Sequence, residues 1–115
     1  MFDYFEDSYP PINVFETEDA FYILLFAPNV DMDSLKIIYK DGAIFIKGYL
    51  KDPLQLDKPK YYYIMEAAYG FFIREIRIGE SINEKDIKST YKQGVLVIVL
   101  PKQKPEVKEI EIDEG

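Results

Sequence analysis

The sequence contains no cysteine, no histidine and no tryptophan. The first two absences remove a thiol nucleophile, a disulfide framework, a zinc site and a Ser-His-Asp triad. Basic residues are outnumbered 14 to 21, for a net charge of -7. That balance argues against nucleic-acid partners, which need a basic face. No apolar run approaches the ~20 residues that span a bilayer, and no charged segment followed by an apolar one opens the chain. A soluble, cytoplasmic protein with no membrane partner is expected. No Gly-rich phosphate loop is present, so no nucleotide and no other cofactor is expected. The carboxylates lack a catalytic frame and read as a solvated acidic surface. At 115 residues the chain suits one domain with a real core.

The residues that are present point to strands. Phe21–Ala27 is a continuous aromatic and aliphatic run ended by Pro28-Asn29, and Leu35–Lys40, Ala43–Gly48, Tyr61–Ala67, Phe71–Ile78, Ile87–Lys92 and Val95–Leu100 follow. Asp41-Gly42 and Gln93-Gly94 are tight-turn signals, because a type I′ turn needs positive φ at both central residues. Strands every ten to twelve residues, without a convincing helical period, predict an all-β, immunoglobulin-like antiparallel sandwich. Ser81–Asp86 is expected to form one short helical turn at most.

Three segments exceed what a plain sandwich requires. Residues 1–11 pair Asp3, Glu6 and Asp7 with Phe2, Tyr4, Phe5 and Tyr9 before Pro10-Pro11. They read as an acidic-aromatic arm, with a frayed terminus as the alternative. Tyr22–Phe26 and Val95–Leu100 are apolar on both faces, whereas antiparallel strands usually alternate, so another chain or a bound segment is expected to cover the second face. The stretch Gly48–Lys60, with Pro53 and Pro59, is long for such a domain. Tyr61-Tyr62-Tyr63 would suit sugar stacking, except that strand alternation would split the three between opposite sides.

After Leu100 the composition turns charged and Pro-containing, as in an extended tail, and then ends in Ile110-Glu111-Ile112. In an extended chain the two isoleucines point the same way, about 6.6 Å apart. They read either as a plug for an apolar groove or as one further edge strand of the same domain.

From about Ile12 to Ile112 the chain resembles the α-crystallin domain of small heat-shock proteins. The resemblance rests on Pro28-Asn29 after a core strand, where Asn tolerates positive φ in place of the usual Gly. It rests also on Asp41-Gly42 with Ile44–Gly48, on Glu66–Arg74 as a Glu-x-x-x-Gly-x-Phe-x-Arg strand, on Ser89–Leu96 with Pro101-Lys102, and on Ile110-Glu111-Ile112. Ser89, Gln93 and Gly79 depart from the usual Ala, Asn and Pro. The segment ahead of the domain is shorter than the several tens of residues usual in the family, which puts large oligomers and strong client capture in doubt.

The resemblance implies an arm at 1–11, an α-crystallin domain at 12–101 and a C-terminal extension at 102–115. It implies an ATP-independent holdase, not an enzyme, that binds partly unfolded client proteins through apolar surface. The building block would be a homodimer, from which any larger oligomer is assembled. A groove for the Ile-x-Ile anchor would lie between Leu35, Ile37 and Tyr39 on one strand and Ile87, Ser89 and Tyr91 on another. Ordinary core packing is the alternative for those positions. Ile110 and Ile112 of a neighbouring chain would fill the hole left by Ser89. The long loop Tyr49–Pro59 would donate an edge strand, placing Tyr49, Leu50, Leu54, Leu56 and Arg74 at the dimer interface, with Arg74 paired to a carboxylate. An exposed surface arginine is the alternative for Arg74. Two other functions remain open: a co-chaperone or adaptor module of the p23-like sandwich type, and an assembly-only dimer with little client binding.

Overall fold

A computed structural model describes residues 9–54, 61–79, 81–104 and 107–115. Seven strands form two antiparallel sheets. They are β1 (Ile12–Glu16), β2 (Ala20–Phe26), β3 (Lys36–Lys40), β4 (Ala43–Leu50), β5 (Gly70–Arg77), β6 (Lys88–Lys92) and β7 (Val95–Pro101). The four-stranded sheet has the order β1-β2-β7-β6, and the three-stranded sheet has the order β3-β4-β5. The only helical pieces among the described residues are 3-10 turns at Met32–Ser34 and Glu84–Asp86, the second inside the expected helical turn.

Turn chemistry sets the hairpins. Asp41 and Gly42 take φ of 51° and 78° between β3 and β4, and Gln93 and Gly94 take 55° and 80° between β6 and β7. Asn29 sits at φ 59°, the conformation its short polar side chain tolerates. Alternation then sorts the side chains. Ile23, Leu25, Ile44, Ile46, Ile98 and Leu100 are fully enclosed between the sheets. The outward residues of β2 and β7, from Tyr22 to Phe26 and from Val95 to Val99, are half-buried. On that outer face Phe15 stacks on Tyr22 with ring centroids 5.0 Å apart.

Several expectations are revised. Tyr61–Ala67 is not a strand; residues 61–69 make no ladder among the described residues, and a strand needs a paired neighbour to satisfy its backbone. With the strand goes the pleat that would separate Tyr61 and Tyr63 from Tyr62, and all three are exposed. A strand at Ile12–Glu16 takes its place in the count, paired with β2 in register Ile12↔Leu25 to Glu16↔Phe21. Tyr9 and Pro10, expected in the arm, pack on the core, and Pro10 is fully buried. The β4 strand runs two residues past Gly48, so the long connection begins at Lys51. Leu50 is consequently a core residue bridged to Val30 and is not available to a dimer interface.

Ile98 lies at the centre of this core, flanked by Ile23 on β2 and Ser89 on β6. Ile98→Ala is expected to lower the unfolding free energy by about 2–5 kcal/mol in a urea titration. A loss within the range of a surface substitution would show that the β7 inner face is not core.

Candidate functional site: an edge groove and an exposed Ile-x-Ile tail

The two flanks of the sandwich differ. Arg74, on the inner side of β5, donates from Nη1 to the Pro10 carbonyl oxygen at 2.6 Å, immediately before β1. The β1 and β5 edges therefore lie together, and β3 and β6 are the edges of the opposite flank. Their inward residues belong to both core and surface. Leu35, Ile37 and Tyr39 on the β3 side, and Ile87 and Tyr91 on the β6 side, pack against the core yet stay half-buried. Ile37 pairs with the enclosed Ile46, and Tyr91 with Leu96, which fixes their direction into the sandwich.

Ser89 stands between Ile87 and Tyr91 on the same side of β6, opposite the enclosed Ile98, and is itself exposed. Its small side chain leaves the β6 rim notched where its neighbours are large. Tyr91 is held in place by its hydroxyl, which donates to the Ala27 carbonyl at 2.9 Å. The five residues expected to form the groove, Leu35, Ile37, Tyr39, Ile87 and Ser89, thus share one flank and one side of their strands.

The tail does not fill this groove. Beyond Lys102, which bridges to Ile82, the described residues form no strand or helix, and Ile110 and Ile112 are 79% and 85% exposed. Two large aliphatic side chains are left facing solvent.

The residues expected at a dimer interface are dispersed. Tyr49 ends β4 on the outer face and meets Phe71 edge-on, with centroids 4.7 Å apart. Leu54 is exposed, whereas Leu56 lies outside the described residues. Arg74 is bound to the Pro10 carbonyl within its own chain. Tyr61, Tyr62, Tyr63, Ile64 and Met65 are also exposed, and their sequence signal is a dense apolar run that resembles a strand. Among the described residues no group of three or more Asp or Glu could hold a metal ion, and no helix is long and apolar enough to cross a membrane.

The chain matches the model of the Hsp20/alpha crystallin family over residues 13–113. It is 33% identical over 97 residues to heat shock protein 42 of Saccharomyces cerevisiae, covering 81% of this chain and 26% of that protein. It is 30% identical over 100 residues to a 16.9 kDa class I heat shock protein of Triticum aestivum, covering 84% of this chain and 66% of that one. The chain therefore spans about a quarter of the first relative and just under two thirds of the second. Among solved structures, a small heat-shock protein from Xylella fastidiosa superposes with a TM-score of 0.75 at 23% identity, over 91% of this chain and 96% of that one. Heat shock protein 16.0 from Schizosaccharomyces pombe gives 0.72, also at 23% identity, over 92% and 82%. These structural likenesses establish the sandwich fold.

Tyr91 anchors the β6 rim through one hydrogen bond to a buried residue. Tyr91→Phe should cost about 0.5–1.5 kcal/mol of stability by denaturant titration. No measurable change would show that the hydroxyl does not hold the rim.

Proposed function

Because the chain belongs to the Hsp20/alpha crystallin family of small heat-shock chaperones, we propose that it acts as an ATP-independent holdase assembled from homodimers. The reading is supported by the half-buried apolar side chains along the β3 and β6 edges together with an Ile-x-Ile tail whose isoleucines are exposed. The tail of one chain enters the groove of a neighbour. Burying two isoleucines gains about 1.5–3 kcal/mol each before the costs of association. Ordering the tail and losing translational freedom remove much of that gain, so each link is weak and exchanges readily. Weak links suit a holdase, because apolar surface that is covered only part of the time is available to a partly unfolded client for the remainder.

Dimerisation has its own apolar surface. Between β4 and β5 the described residues expose Leu54 and the run from Tyr61 to Met65, and residues 61–69 form no strand there. Strand addition to the partner's sheet supplies a ladder and closes an edge that would otherwise invite aggregation. The p23-like adaptor reading accounts for neither the tail nor this loop.

Heating an aggregation-prone client without ATP and following light scattering tests the activity. Suppression at near-stoichiometric ratios is expected; no protection at large excess would exclude the holdase. Mass measurement of the Ile110→Ala/Ile112→Ala variant tests assembly separately. The expected result is a fall from the wild-type assembly to dimers, and an unchanged assembly mass would refute the tail link.

A further inference from the structure

The two edge strands that border the groove carry the same charge pattern. On β6 the outward residues are Lys88, Thr90 and Lys92, alternating with Ser89 and Tyr91; on β3, Lys36 and Lys40 flank Ile37 and Tyr39 in the same way. All four lysines are exposed, and among the described residues none makes an ion pair. Asp86, the nearest carboxylate along the chain to Lys88, accepts instead from the Asn83 side-chain amide at 2.9 Å. Positive charge is thus gathered at these edges in a chain whose net charge is -7. Lysines on an edge strand ordinarily repel a second edge. An added strand with carboxylates at the matching spacing is selected instead.

The C-terminal tail has that spacing. Glu109 and Asp113 are four residues apart, as are Lys88 and Lys92, and in extended chain each pair spans about 13 Å. Ile110 and Ile112 alternate with the carboxylates as Ser89 and Tyr91 alternate with the lysines. Setting the two carboxylates opposite the two lysines therefore fixes the remaining contacts. Whichever way the tail runs, one isoleucine falls beside Ser89, the other beside Tyr91, and Glu111 opposite Thr90. A slip of one residue turns both isoleucines out of the sandwich. A slip of two keeps only one of the two charge pairs. The small Ser89 is the β6 position with room for an isoleucine, so charge and shape select the same register.

We propose that Lys88 and Lys92 set the register of a second copy's tail by pairing with its Glu109 and Asp113, which delivers one isoleucine to Ser89. The proposal rests on the tail link put forward above and adds to it a charge code for which tails are accepted. Because the chain has no cysteine, the register can be read as a disulfide. Full-length Ser89→Cys chains are mixed with Ile110→Cys chains, or with Ile112→Cys chains, and equilibrated in a glutathione buffer at low salt. A mixed disulfide is expected at one of the two isoleucine positions. Adding Lys88→Glu/Lys92→Glu to the Ser89→Cys chain should lower its yield about tenfold, an effect that high salt erases. Adding Glu109→Lys/Asp113→Lys to the other chain should restore the yield, which also shows that the reversed β6 still folds. A yield indifferent to the lysine reversal, or not recovered by the reversed tail, overturns the charge code and leaves the tail link standing. No mixed disulfide at either position, together with an assembly mass untouched by Ile110→Ala/Ile112→Ala, removes the tail link and the charge code with it.

Discussion

Where β1 meets β5, a guanidinium grips a backbone carbonyl. Arg74 donates to the Pro10 oxygen at 2.6 Å, and Pro10 is enclosed against the core. The contact joins the two sheets along one flank, and a charged donor makes it stronger than an ordinary neutral hydrogen bond. No matching clasp among the described residues joins β3 to β6. The opposite flank is left to half-buried side chains and the notch at Ser89. One flank is thus joined by a charged hydrogen bond, and the other is bounded by half-buried side chains.

Apolar surface is distributed over this scaffold in separate places. The inner edges of β3 and β6 present Leu35, Ile37, Tyr39 and Ile87; the β4–β5 connection presents Tyr61 to Met65; the back of β5 presents Phe71 and Ile73. The chain exposes this hydrocarbon alongside a net charge of -7.

How much of this was legible in the sequence depends on the range of the interaction involved. The Asp41-Gly42 and Gln93-Gly94 turns and the positive φ of Asn29 follow from neighbours a few residues apart, and they appear where expected. Alternation also puts Ile37 and Ser89 on the inner side of β3 and β6. Tyr61–Ala67 was misread because a β-prone composition states only that a strand is possible. Leu50 was misplaced because Gly48 resembled an end, while alternation in fact carries β4 two residues farther into the core. The outer face of β5 escaped notice altogether, although Phe71 and Ile73 flank an inward residue in plain alternation.

Sequence alone determined the fold class, the hairpin turns and the side of each strand that turns inward, because backbone sterics and side-chain period act over two to four residues. Only the tertiary structure decided which strands are edges, which flank Arg74 closes, and which hydrophobic residues stay in water. Those outcomes depend on which distant segment supplies the second half of each ladder and each packing contact, and no local pattern encodes its partner.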